Sequence, residues 1–296
     1  MKSQIQNDLL RKLSVIPGKT ISLEKDFNPG YIPPKLDKKQ AAEELEKGVL
    51  RLADYQDKLY AQNRYALLIL FQGMDASGKD GIIKHVLSGI NPQGCQVYSF
   101  KAPSAEELDH DYLWRCFKAL PERGRIGIFN RSYFEEVLIV RVHPQILDSQ
   151  QLPPKTVSRD FWKNRYAEIN QFERYLVRNG ILVLKFFLHI SREEQKKRFM
   201  ERIEHPAKNW KFTLQDVKER AFWNDYQRVY EDCLKNTSTS WAPWYVIPAD
   251  HKYFARLAVM QTLCQKLEEL NLCYPTLTKE QQEGLRQAKE LLLQEK

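Results

Sequence analysis

Asp75, Lys79 and Arg131 are the side chains in this 296-residue sequence whose types and settings suit chemistry on phosphates. The run Gly73-Met74-Asp75-Ala76-Ser77-Gly78-Lys79 fits the pattern G-x4-G-K. Its glycines let successive backbone N–H groups turn into one concavity, the following helix adds its partial positive charge, and the lysine reaches terminal phosphates. Gly73, Ala76, Ser77, Gly78, Lys79 and Asp80 are therefore the expected phosphate contacts. Asp80 departs from the usual motif, which has a Ser or Thr hydroxyl there for Mg²⁺. The metal role then passes to Asp75, since a carboxylate among phosphate-binding amides needs a cation or an acceptor hydroxyl to offset its charge. An ordinary turn-forming residue is the competing reading of Asp75.

Arg131, in Asn130-Arg131-Ser132, suits forked binding of phosphate oxygens and neutralisation of a transferring phosphoryl group; a salt bridge to Glu135 or Glu136 is its alternative. Asn130 stands where many phosphate-loop proteins have an Asp, which moves still more of the metal role to Asp75. Arg198 and Arg202 share a helix face, and Lys208, Trp210 and Lys211 follow in a loop. Together they read as a basic flap closing over phosphates, or else as a solvated face. Asp111 and Arg115 are spaced i, i+4, which fits acceptor binding and a plain intrahelical salt bridge equally.

These residues need a scaffold. Ala66 to Phe71 is apolar throughout and too short for a typical helix, so it reads as a strand buried on both faces, followed by the glycine loop and a helix. Further strands are expected at Val97 to Phe100, Ile126 to Phe129, Ile181 to Ile190 and Tyr245 to Ala249. Helices are expected at Lys39 to Asn63, Ser104 to about Leu120, Val157 to Asn179, from Ser191 onward, Leu214 to Lys235, Tyr253 to Leu272, and from Lys279. Alternating strands and helices predict a parallel sheet covered on both faces, a three-layer α/β/α sandwich. Ligands in such sheets lie at the carboxyl ends of the strands, so the glycine loop, Lys101, Asn130-Arg131 and the basic segment after Ile190 should converge.

Residues 1–38, with four prolines and little periodicity, read as an extended surface arm suited to a packing or oligomer contact. Residues 39–275 form the main domain with a lid at about 192–225, and residues 276–296 a C-terminal helix. A net charge of +8 fits a polyanionic partner, whether nucleic acid, anionic membrane or phosphate polymer. The five cysteines are odd in number and form no C-x2-C pair, so neither a disulfide framework nor a zinc site is indicated. No long apolar core follows the N-terminus and no stretch approaches a membrane span, which predicts a soluble cytoplasmic protein.

Phe71 to Gly81, Asp111 to Arg115, Phe129 to Ser132, Lys185 to Ser191, Lys208 to Lys211 and Trp241 to Asp250 resemble, in order, the motifs of the polyphosphate kinase 2 family. The resemblance covers roughly residues 20–272. It implies a five-stranded P-loop kinase fold with a helical lid, and reversible Mg²⁺-dependent transfer (Mn²⁺ as a substitute) from inorganic polyphosphate to nucleotides. By motif position Asp75 would organise metal and acceptor, Lys79 would hold phosphate, and Arg131 would follow the Walker B position. Arg198, Arg202, Lys208 and Lys211 would belong to the lid. Asn-Arg-Ser with Glu135 resembles members that accept AMP and often ADP. The expected acceptor set is Lys101, Asp111, Arg115, Asn130 and Glu135, with guanine nucleotides as further candidates. The resemblance also implies a homo-oligomer, dimer or tetramer, with no nucleic-acid or membrane partner. Two rivals remain: an ATP-dependent nucleoside monophosphate kinase on the same fold, and a non-catalytic polyanion binder.

Overall fold

A computed structural model describes residues 9–295. All five expected strands are there: β1 Ala66–Gln72, β2 Cys95–Ser99, β3 Ile126–Asn130, β4 Ile181–His189 and β5 Trp244–Pro248. They form one parallel sheet in the order β2-β3-β1-β4-β5. β1 is central and buried along its whole length, which explains its unbroken apolar run. Its side chains alternate between faces: Leu67, Ile69 and Phe71 enter one core, Leu68 and Leu70 the other.

The main helices are α1 Lys38–Gln62, α2 Lys79–Val86, α3 Trp114–Lys118, α4 Phe161–Arg178, α5 Arg192–Glu204, α6 Leu214–Glu219, α7 Trp223–Thr237, α8 Lys252–Glu268 and α9 Lys279–Gln294. α1, α2 and α8 cover one face of the sheet, α4 and α7 the other, giving the three-layer P-loop kinase fold. Gly48 permits the close approach of α1 to α8, because a Cβ there would stand 2.4 Å from Met260 Cγ. Among the described residues no helix is long and apolar enough to cross a membrane.

Three expectations need correction. The N-terminal arm is not simply extended: residues 1–8 lie outside the described residues, but 9–13 are helical and Leu10, Leu13 and Val15 are buried. Ser14 bridges Tyr245 in antiparallel fashion and Val15 N donates to Trp244 O at 2.9 Å, so the segment covers an edge that β5 would otherwise expose. The helix expected from Ser104 stops at Leu108 after its capping box, and Asp111 Oδ1 accepts from Leu113 N at 2.9 Å just before α3. That use of Asp111 replaces the Asp111–Arg115 pair. The helix expected at Leu214 to Lys235 divides into α6 and α7 through a short 3₁₀ turn, Arg220–Phe222.

One charge pair lies inside the second core. Lys185 Nζ donates to Glu173 Oε2 at 2.6 Å and to Thr237 O at 2.7 Å, and Tyr133 Oη donates to Glu173 Oε1 at 2.9 Å. Both charged side chains are 0% exposed. Burial pushes Glu173 up and Lys185 down, each opposed by its partner's charge. Removing one member strands the other, so Lys185→Met should cost about 3–5 kcal/mol, while Lys185→Met with Glu173→Leu should recover most of it. Equilibrium denaturation of both variants checks this; a double variant less stable than the single one would refute it.

Candidate active site

The glycine loop is fixed from behind by buried side chains. Lys79, the first residue of α2, donates to Gly73 O at 2.6 Å and to Met74 O at 3.4 Å. Gln195 on α5 donates to Asp75 O at 2.9 Å, and Arg198 Nη1 donates to Ala76 O at 2.9 Å and Ser77 O at 3.1 Å. Gly73 has φ +152, and a Cβ there would stand 2.8 Å from both Leu188 O and Ser77 Oγ. Ser77 Oγ is buried without a hydrogen-bond partner.

Arg198 faces the phosphate side of the loop as expected, and it also braces the loop from beneath. It is 5% exposed, and it also binds Glu194 Oε1 at 2.9 Å and Ala249 O at 2.6 Å. It is a strut under the loop. The expected lid loses its first part, since Gln195, Arg198 and Phe199 anchor α5 to the body. The flap proper starts after Glu204. Arg202, Lys208 and Lys211 lie near carboxylates, Arg202 at 3.8 Å from Asp216 and Lys208 at 3.6 Å from Glu201.

At the end of β3, Arg131 adopts a left-handed backbone with φ 66, uncommon for a non-glycine residue. This turn aims its guanidinium at Asp75, whose Oδ1 accepts from Nη2 at 2.8 Å, while Glu135 Oε2 lies 3.5 Å from Nη1. Glu135 and Asp75 hold Arg131 above its ordinary pKa despite burial. Glu136 pairs with Arg165 instead. Asn130 Nδ2 donates to Asp80 Oδ1 at 2.8 Å, and Lys211 Nζ lies 3.5 Å from Asp80 Oδ2. Asp80 thus joins the loop helix, the strand end and the flap.

Two large cavities meet at Arg131, with a third of about 70 Å³ beside Asp75 and Glu135. The larger, about 720 Å³, is lined by the loop and by Arg198, Arg202, Lys208, Lys211 and Lys252. The smaller, about 440 Å³, is lined by Lys101, Asp111, Arg115 and Glu135 together with Phe100 and Tyr112. Lys101 lines both, whereas Asn130 belongs to the larger and not to the acceptor-side group. Arg115 Nη1 donates to Lys101 O at 2.8 Å and lies 3.3 Å from Glu107 Oε2.

Sequence reasoning missed Lys252, Gln195 and Arg220. Lys252 follows the fifth strand, whose carboxyl end obeys the same convergence rule as the other four and so was findable. Gln195 is 2% exposed on a helix crowded with charges, and its Oε1 accepts from Arg220 Nη1 at 2.6 Å. Nothing in the local sequence marks that contact.

A parallel α/β/α sheet whose central strand feeds a glycine loop faced by a cationic helical flap defines a P-loop kinase. Residues 35–273 match the family model described as Polyphosphate kinase 2 (PPK2), and the chain belongs to that family. It is 53% identical over 270 residues to the ADP-polyphosphate phosphotransferase of Rhodopseudomonas palustris, covering 89% of this chain and 93% of that protein. It is 42% identical over 267 residues to the AMP/ADP-polyphosphate phosphotransferase of Meiothermus ruber, covering 90% and 96% respectively. The crystal structure of Polyphosphate Kinase 2 from Arthrobacter aurescens TC1 superposes with a TM-score of 0.85 at 38% identity, covering 94% of this chain and 95% of that one.

Burial, and then the nearby charge of Arg131, lower the Lys79 pKa to about 8. Below that value the ammonium is charged and favours a polyanion; above it the unliganded protein must take up a proton to bind. Affinity for tripolyphosphate should therefore fall as pH rises through about 8, by up to about tenfold per pH unit. Calorimetry between roughly pH 7.5 and 9.5 checks this, and an affinity that stays flat across the range would refute it.

Proposed function

We propose that this protein transfers the terminal phosphoryl group of inorganic polyphosphate to AMP and ADP, giving ADP and ATP, with Mg²⁺ and in both directions. The observation that carries this reading is the position of Arg131, which lines both a cation-lined cavity and a second cavity bearing aromatic and charged groups. Family membership and the names of the relatives support the same donor and acceptors.

A polyphosphate chain fits the larger cavity, with its terminal group at the loop amides and Lys79, and its next units beside Arg202, Lys208, Lys211 and Lys252. A nucleotide fits the smaller cavity, with its phosphate toward Arg131. An oxygen of the nucleotide phosphate then forms a P–O bond to the terminal phosphorus as the bond to the rest of the polymer breaks, leaving a chain one unit shorter. Little covalent help is needed: positioning and charge neutralisation carry the step. Arg131 can fork across the equatorial oxygens, because Asp75 and Glu135 already fix its plane.

The residues present fit Mg²⁺. Asp75 Oδ1 is taken by Arg131 while Oδ2 has no protein partner among the described residues, and the buried Ser77 Oγ is unpartnered. One carboxylate with substrate phosphates and waters is a donor set that Mg²⁺ accepts. Asp75 would hold the ion, which when bound supplies further neutralisation of phosphate charge.

A cross-test of donors and acceptors decides the function: Mg²⁺, AMP or ADP, and either polyphosphate or ATP, with products separated by anion exchange. ADP and ATP formed from AMP only when polyphosphate is supplied are expected. Product with ATP alone as donor would hand the protein to ATP-dependent nucleotide kinases. Lys79→Ala should lower turnover roughly 10²- to 10³-fold, the scale of removing one preorganised donor. Near-normal turnover in that variant would refute the role of Lys79.

A further inference from the structure

The cationic lining does not end at the rim of the larger cavity. Lys252, which lines the rim, is at the start of α8, and Arg256 stands one helical turn further along. The Arg256 guanidinium reaches across to the first turn of α2: a Cβ built on Gly81 would stand 3.9 Å from its Nη2. One turn along α2 from Asp80 and Gly81 come Lys84 and His85, both exposed. Two packed helices thus carry Lys252, Arg256 and Lys84 outward from the loop in a row, with the His85 imidazole beside them as a neutral hydrogen-bonding group.

Anions accompany the inner end of the row, Asp80 and Glu201, but not its outer end. Among the described residues no carboxylate forms an ion pair with Arg256, Lys84 or His85, whereas Lys252 lies 3.8 Å from Glu201. Arg256 is half-buried, and burial lowers its pKa with no carboxylate opposing the shift. His85 is likewise held below the ordinary histidine value, by desolvation and then by Arg256 and Lys84. A half-buried guanidinium without a protein partner is a poor packing element and a good phosphate fork. Continuity with the phosphate cavity selects a polymer over a separate small anion.

We propose that Arg256, Lys84 and His85 form an outer phosphate site, continuous with the main cavity through Lys252, which binds distal units of a long polyphosphate chain. The site rests on the reading that polyphosphate is the donor. Its role is in chain-length preference: a chain of three units ends inside the main cavity, and a chain of tens of units runs along the row.

The test compares tripolyphosphate with long-chain polyphosphate as donor for the wild-type protein, for Arg256→Ala combined with Lys84→Ala, and for Lys84→Glu, a change at an exposed position that spares the fold. The long-chain KM should rise roughly tenfold in the double variant, the scale of losing charge-assisted contacts in solvent. The tripolyphosphate KM should move less than about twofold, and the log–log salt slope of the long-chain KM should fall by about one per cation removed. Lys84→Glu should shift the long-chain KM in the same direction. Equal shifts for both donors, or an unchanged long-chain KM and salt slope in both variants, would overturn the outer site. Wild-type protein that turns over neither donor would overturn the donor reading and the outer site with it.

Discussion

Backbone amides can converge on an anion only if their own carbonyls are satisfied elsewhere. From Gly73 to Ser77 every carbonyl accepts from an ordered donor: Lys79 takes Gly73 and Met74, Gln195 takes Asp75, and Arg198 takes Ala76 and Ser77. Ser77 N turns back within the loop to Met74 O at 3.1 Å, and the other loop N–H groups are left to the far side. Much of the structure around the loop serves this division. β1 and β4 pair in parallel to bring Gln72 opposite Phe187, so that α5, starting just after β4, can lay Gln195 and Arg198 beneath the loop. β5 ends where Ala249 can give Arg198 a further acceptor.

This arrangement concentrates positive charge before any phosphate arrives. Lys79, Arg131 and Arg198 all stand against one short loop, and Asp75, Asp80, Glu135 and Glu194 offset them in part. Burial already weakens the hold of Lys79 on its proton. Ala76 and Arg131 also sit in left-handed backbone conformations, each costing on the order of 1–3 kcal/mol. The buried cores on the two sides of the sheet can hold such a site together, and a polyanion meets donors that need no rearrangement.

Much of this was legible in the sequence, for reasons that differ by element. The strands were readable because burial on both faces leaves continuous apolar runs, and β1, β3, β4 and β5 all lie within one or two residues of their expected bounds. The loop was readable because its backbone geometry demands glycine at fixed spacing. The bracing role of Arg198 was missed because hydrophobic periodicity registers a charge and assigns it to solvent; it cannot register five acceptors brought from Ala249 and Asp250 after β5, from the loop and from its own helix. The break between Leu108 and Trp114 was hidden for a related reason: Asp111 reads as a helix residue through its i, i+4 spacing from Arg115 and acts instead on the amide of Leu113. The N-terminal arm hid its helix because its neighbour, the edge of β5, is more than two hundred residues away in sequence.

Gln195 gives the flap a hold on the loop. Its amide nitrogen fixes Asp75 O, and its oxygen accepts from Arg220, which lies in the 3₁₀ turn joining α6 to α7. Immediately before Arg220, Glu219 at the end of α6 binds His143 at 2.9 Å and Tyr226 at 2.9 Å, tying α6 to the body. A shift of α6 that withdraws Arg220 leaves the Gln195 amide with one fixing point in place of two, and the carbonyl of Asp75 is the group that feels the change. Lys211 pulls at the far side of the loop through Asp80 and Asn130. Flap position and loop geometry are therefore biased together by contacts on both sides of the phosphate site. A polyanion that binds the flap cations and the loop amides at once favours a single arrangement of both, in proportion to the difference in its affinity for the alternatives.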